Sequence, residues 1–433
     1  MLQNRNVPMA ARRRLGVFAF ALLAVGLTAS LAANAREPRD ADWLQLAGLA
    51  PGAALLDPLP CRMAVDSAAC TAASAAPPNQ RPGEVWRRGL LPVVDPSCDE
   101  PPREIAGNVA LPAGCTYSLS HSLKIVTSGT TLDCRGSTFL GNGQVDIGLL
   151  IDSRGRPMSN IVVRNCIFRD FRFGGVRVTW SAHDNEKGSE QAKIYRRTPT
   201  NILLDRLEVT DSGSVAIYID DYVTYLTLSN SRVSGSGSVA VYLEHSSRFN
   251  RIVNNEFSDS GRRGGREAVA VDSSADNLIE NNLFRHNRKG SVFLYKNCGE
   301  HVGSPNSYNV IRWQHSNRNR IVNNRFFDEP VGVWLASRQS RDLAHWDCAD
   351  EPVESTGHFF LDFADDNEVA RNVFCRTPVA IRDEGDNNRI IGNRFEAPLE
   401  AAIQLPVTAR QRFLGRPQAG TLLQDNQTAH CEP

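Results

Sequence analysis

One eight-residue phrase recurs along the chain and limits what it can fold into. It reads Asn250-Arg-Ile-Val-Asn-Asn-Glu-Phe257, then Asn277-Leu-Ile-Glu-Asn-Asn-Leu-Phe284 and Asn319-Arg-Ile-Val-Asn-Asn-Arg-Phe326. Asn367-Glu-Val-Ala-Arg-Asn-Val-Phe374 and Asn388-Arg-Ile-Ile-Gly-Asn-Arg-Phe395 continue it, with degenerate copies at Asn160 to Phe168, Asn201 to Val209 and Tyr225 to Val233. Within each copy the apolar residues alternate as a strand requires, and the asparagine pair supplies a turn.

A second phrase, small-apolar-x-apolar-x, follows the copies: Gly148 to Asp152, Gly175 to Thr179, Ala216 to Asp220, Ala240 to Glu244 and Ala268 to Asp272. Ser291 to Tyr295, Gly332 to Ala336, Ala380 to Glu384 and Ala402 to Pro406 extend the series. Where no insertion intervenes, copies are about 21 to 28 residues apart, the length of one solenoid coil. Helical repeats would show a period of 3.6 rather than 2, and the Leu-x-x-Leu-x-Leu ladder of leucine-rich repeats is absent. The remaining solution is all-β: a single-stranded solenoid of parallel strands, coil on coil, from about 105 to 406, with asparagine and phenylalanine ladders inside.

The flanking segments differ. Arg5, Arg12, Arg13 and Arg14 precede an apolar run from Leu15 to Leu31, and Ala33-Asn-Ala35 has the small-x-small pattern of a cleavage site, so 1–35 reads as a signal peptide cut after Ala35. The protein is then expected to be secreted or periplasmic, a monomer, with no membrane association after cleavage. Residues 36–104 are Ala/Pro-rich and read as an N-terminal extension or linker, and 407–433 as a C-terminal cap or tail. All ten cysteines follow the signal and none forms a Cys-x-x-Cys pair, which favours disulfides over zinc. Cys61 with Cys70 is the simplest local pair. The formal net charge is +0, so nucleic acid is not an expected partner.

These repeats resemble the pectate-lyase-like right-handed β-helix superfamily, which includes pectate lyases, polygalacturonases and mannuronan C5-epimerases. The first coils of such proteins are similar to Val109-Ala-Leu-Pro-Ala-Gly-Cys-Thr-Tyr117 followed by Gly129-Thr-Thr-Leu-Asp133. The resemblance implies a right-handed parallel β-helix with long loops on one face and a polysaccharide partner, with an acidic polysaccharide among the candidates. It does not define a reaction.

Strand alternation sends two columns of the second phrase outward. The inner column is Leu150, Arg177, Tyr218, Tyr242, Ala270, Phe293, Trp334, Arg382 and Gln404; the outer one is Asp152, Thr179, Asp220, Glu244, Asp272, Tyr295 and Ala336. Stacked at ~4.8 Å, Tyr218, Tyr242, Phe293 and Trp334 form an expected exposed aromatic platform for sugar rings. Asp220, Glu244 and Asp272, with Asp221 beside them, form an acidic stripe whose repulsion calls for a cation, an arginine or a shared proton. Insertions of roughly 180–198, 296–317 and 337–365 enter at one corner of the coil and wall this face. They carry His183, His301, His315, His345 and His358, and His245 follows Glu244 directly. A bond between Cys298 and Cys348 would pin two of these walls.

Three readings follow. Elimination or C5 epimerisation of a uronate, ranked first, needs a cation for the sugar carboxylate and a base for the C5 proton. Arg177, Arg248, Arg338 or Arg341 could supply the cation, and Lys296, His245 or His301 the base. Asp220, Glu244 and Asp272 are the residues that would hold Ca²⁺, the one cofactor suggested. Inverting hydrolysis would use Asp220 and Asp272, two coils or ~9.6 Å apart; Asp220-Asp221 followed by His245 is similar to the polygalacturonase order of Asp-Asp and then His. The third reading is a non-catalytic glycan-binding or export scaffold. The expected catalytic set is Asp220, Asp221, Glu244, His245, Asp272 and Lys296; Arg177, Tyr218, Tyr242, Phe293, Trp334, Arg338, His301 and His345 are expected to contact substrate.

Overall fold

The structure, a computed structural model, describes Cys98 and residues 100–181, 191–298, 312, 314–346, 348 and 350–431. The expected signal segment 1–35, nearly all of 36–99, and Cys61 and Cys70 lie outside the described residues.

The asparagine phrases fold by a repeated local device. The residue before the second asparagine takes a left-handed conformation in coil after coil, with φ of 59° at Asn254, 54° at Asn281, 58° at Asn323 and 55° at Arg371. Asparagine tolerates that region better than most residues. Each phrase therefore splits into two short strands around the turn, as in Arg251–Val253 and Glu256–Ser258. The second asparagine points inward, where its amide replaces a missing ladder bond. The backbone N–H of Asn255 donates to Asn282 Oδ1 at 2.9 Å, Asn282 to Asn324 at 2.9 Å, Asn324 to Asn372 at 2.8 Å and Asn372 to Asn393 at 3.0 Å. The first asparagines, from Asn250 to Asn388, make a parallel ladder. Beside them Phe257, Phe284, Phe326, Phe374 and Phe395 stack with centroids 5.2, 4.9, 4.6 and 5.3 Å apart.

The second phrase becomes an eleven-stranded parallel sheet running from Glu104–Ile105 to Ile403–Gln404. Ile217, Ile219, Val241 and Leu243 are fully buried in the coil interior, so the facing of this sheet is the expected one. Its other side carries the column Arg177, Tyr218, Tyr242, Ala270, Phe293, Trp334, Arg382 and Gln404 in unbroken register. The coil also continues past 406. After the short helix Ala409–Leu414, Leu422–Gln424 and Gln427–Thr428 pair with the preceding rung, and Asn393 donates to Asn426 Oδ1 at 3.0 Å. The segment expected as a cap or tail thus adds a final partial coil.

Disulfides join Cys98 to Cys115, Cys134 to Cys166, Cys298 to Cys348 and Cys375 to Cys431. Such a set belongs to a protein that matures in an oxidising compartment. Among the described residues no helix is long and apolar enough to cross a membrane.

Candidate active site

The outward column is not the exposed platform that alternation alone suggests. Tyr242 is 8% exposed, Phe293 1%, and Ala270 and Tyr295 are fully buried. Their side chains form a second apolar layer outside the coil, with Tyr218 and Trp334 partly covered at its margins. Loop side chains make the cover. The Arg338 guanidinium lies 3.7 Å from the Tyr295 ring centroid, and Arg266 lies over Tyr242. Tyr218 and Tyr242 stack on each other at 5.3 Å and turn their hydroxyls toward carboxylates rather than toward solvent.

Beneath this cover the acidic stripe is assembled and largely neutralised. Arg312, carried in by the 296–317 insertion, donates from one guanidinium nitrogen to Glu244 at 2.7 Å and from another to Asp272 at 2.6 Å. Asp220 accepts from Arg177 at 2.6 Å and from the Thr179 hydroxyl at 2.6 Å. Tyr218 donates its hydroxyl to Glu244. Asp272 is fully buried and accepts from the Tyr242 hydroxyl at 2.6 Å, the Asn297 backbone N–H at 2.8 Å and its side-chain amide at 2.8 Å. Both its oxygens are occupied, so it is a structural anchor rather than a proton carrier. The expected inverting pair of Asp220 and Asp272 loses one member here.

Asp221 differs from its neighbours. No arginine and no side-chain donor reaches its carboxyl among the described residues, and its side chain retains 11% exposure. Burial, and then the charges of Glu244 and Asp220, push Asp221 well above the usual carboxylate range. Glu244 is also raised by burial, but Arg312 and Tyr218 pull it back. Oxygens of Asp220, Asp221 and Glu244 lie within 4.8 Å of one another. Both carboxyls are therefore raised and titrate as a pair, in which Asp221 is the member without a cation beside it and the one raised further.

A cation could in principle take oxygens from those three residues. The set does not match the expected Ca²⁺ ligands Asp220, Glu244 and Asp272, because Asp272 is sealed. Guanidinium groups already sit on Asp220 and Glu244, so the donor set fits Ca²⁺ poorly.

The remaining expected residues divide. His245 is 1% exposed with neither ring nitrogen hydrogen-bonded; its Nδ1 lies 4.0 Å from Asp221, and burial holds it neutral. Lys296 is nearby but its ammonium is paired with Asp350 at 3.0 Å, so it is a wall contact rather than a free base. Phe293, Trp334 and Arg338 line a separate cleft further along the column. His345 is exposed, and no described contact brings it to the carboxylates. His301, like His183 and Trp313, lies outside the described residues. Arg312 was missed as an individual. The stripe's repulsion demanded an arginine, but a residue in the middle of a long insertion has no register from which to place it.

A family model described as a right-handed beta helix region matches residues 136–302 and, in an overlapping placement, 180–343. Residues 136–343 thus match that family, and the parallel β-helix of the described coil agrees with it. Among solved structures, similarity extends to the tailspike protein of E. coli bacteriophage HK620, with 11% identity over 76% of this chain and 55% of that one, at a TM-score of 0.42. An alginate lyase from Paenibacillus sp. FPU-7 is 10% identical over 74% of this chain and 90% of its own, at 0.34. The DFA-IIIase of Arthrobacter chlorophenolicus is 16% identical over 74% and 76%, at 0.41. The β-helix thus spans about half the tailspike chain, and these likenesses are of fold alone. No curated protein matches the sequence.

Proposed function

We propose that this β-helix is an exported glycoside hydrolase acting on a polysaccharide, with Asp221 as general acid and Glu244 as nucleophile. The observation that carries the reading is the pair itself: two carboxyl groups with oxygens within 4.8 Å, one neutralised by Arg312 and a tyrosine, the other without a donor and raised. Oxygens this close fall short of the ~6.5–9.5 Å separation that leaves room for an attacking water, and favour the closer spacing of retaining enzymes. Glu244 Oε attacks the anomeric carbon while the Asp221 proton passes to the leaving oxygen as the glycosidic bond breaks. Water then attacks the glycosyl-enzyme ester, returning a proton to Asp221 and freeing Glu244. Arg312 and Tyr218 hold Glu244 ionised and oriented.

The uronate reading keeps one support, the neutral and unpartnered His245 beside Asp221, which could act as a base. Of its expected cations, Arg177 is committed to Asp220 and Arg248 to Asp276, and Arg338 and Arg341 line the cleft further along the face. One assay separates the two. Purified protein incubated with a panel of polysaccharides should release reducing ends without an unsaturated-uronate absorbance, and the first product should keep the anomeric configuration of the substrate. Asp221→Asn and Glu244→Gln should each lower turnover by ~10²-fold or more without loss of fold. Unsaturated product, or full activity in both variants, overturns the assignment.

A further inference from the structure

Three rungs beyond Glu244, on the same outer face, lies a cavity of about 200 Å³. Trp334, the partly exposed continuation of the tyrosine column, forms its floor with the buried Phe293 packed against it, and Lys289, Arg338, Arg341 and Arg382 surround it. No carboxylate lines it. Among the described residues, of the four cations only the Arg382 side chain has an acidic partner, Glu384 at 2.7 Å. Arg338 spends its Nε on Asn297 and its face on Tyr295, and Arg341 stacks on Trp346 at 4.7 Å. Lys289 has no hydrogen bond or ion pair with any described residue, and it is half-buried. Burial pushes its amine down; the charge of Glu267 opposes this, and the charges of Arg341 and Arg338 add to it. Two acids lie close by: Glu384 accepts from Arg382 and from Trp334 Nε1 at 3.1 Å, and Glu267 is committed to Arg266 and to the Tyr295 hydroxyl, each at 2.8 Å.

Like charges gathered around a hollow, with an aromatic floor, destabilise the empty protein and suit an anion carried on a sugar. We propose that this cleft is a binding subsite for an acidic sugar, one bearing a carboxylate or sulfate, in the glycan that runs along the outer column. It lies ~14 Å from Glu244 at ~4.8 Å per rung, about three sugars from the bond to be cut, so the substrate is an anionic polysaccharide. The substrate assignment rests on the hydrolase reading; the binding of an acidic sugar does not.

Binding is measured on the full protein by tryptophan fluorescence and NMR titration, with methyl glucuronide, methyl glucoside and inorganic sulfate as probes. The glucuronide is expected to bind at least 10-fold more tightly than the glucoside, and more weakly as salt is added. The double variant Lys289→Gln/Arg341→Gln should lose that preference, and because it removes repulsion it should fold as the parent does. Asp221→Asn should bind the glucuronide unchanged. Equal binding of the charged and neutral glycosides, or an unaltered double variant, overturns the proposal, as does sulfate binding as tightly as the glucuronide, which would make this an anion site without sugar recognition. If no glycan is hydrolysed while glucuronide binding and its loss in the double variant persist, the hydrolase reading fails and the subsite stands.

Discussion

Glu329 occupies a place in the interior ladders that asparagine fills elsewhere, and the difference is measurable. It is 1% exposed, and its Oε1 accepts from the Asn287 backbone N–H at 3.1 Å and the Asn287 amide at 2.8 Å. Burial pushes its carboxyl up from 4.5 to about 8, against the pull of those hydrogen bonds. A raised folded value means that the stability it contributes is whole below pH 4.5 and is lost as pH climbs through about 8. In that window the unfolded chain releases a proton that the folded chain must keep. At ~1.4 kcal/mol per tenfold, the loss reaches about 3 kcal/mol at pH 7 and about 5 kcal/mol above pH 8, to order of magnitude. Glu329→Gln keeps the acceptor and the shape while removing the titration. In denaturant unfolding the variant should gain under about 1 kcal/mol at pH 5 and several at pH 9. A gain that does not change with pH would show that Glu329 does not titrate in this range, and the desolvation argument would fail.

Phe284→Ala, which opens a gap between rings 5.2 and 4.9 Å away in a fully buried stack, should cost ~3–5 kcal/mol by the same unfolding measurement. Arg312→Gln leaves Glu244 and Asp272 without their shared cation, so stability should fall by ~3–5 kcal/mol, and the lower limb of the pH–rate profile should move to higher pH. Cys298→Ser with Cys348→Ser frees two walls from each other; KM for a polymeric substrate should rise several-fold while the melting temperature of the coil changes little. An unchanged KM would mean that other contacts hold those walls.

The coil was legible because its signals are local and repeated. An alternation of period two together with an asparagine turn specifies strand facing, and stacking then propagates that facing through every rung. The register from Arg177 to Gln404 followed from this alone, as did the phenylalanine stack. The last partial coil was not legible, because Thr421-Leu-Leu-Gln-Asp-Asn-Gln-Thr428 lacks both the first asparagine and the phenylalanine of the phrase. The site was half legible. Asp220, Asp221, Glu244 and His245 lie on regular strands or next to them, so alternation placed them; the expected exposure of Tyr242 and Phe293 failed because loops have no period. Arg312, Asn297 and Arg338 reach the face from insertions, and their contacts depend on how those insertions fold back.

That fold-back decides what the acidic stripe can do. On a bare solenoid face, water and salt would screen stacked carboxylates, and all of them would be ionised at neutral pH. Covered by Arg338, Asn297 and the tyrosine layer, the same residues enter a medium where charge is costly and each needs a specific partner. Arg177 serves Asp220, Arg312 serves Glu244 and Asp272, and Asp221 is left to keep a proton. The repeat therefore supplies identical geometry in every coil, while the insertions distribute the counter-charges unequally. On the proposed hydrolase reading, that inequality separates an acid from a nucleophile within one stripe. It also accounts for the cationic cleft three rungs away, where no described carboxylate forms an ion pair with Lys289 or Arg341: one covered face gathers raised carboxyls at one end and excess positive charge at the other.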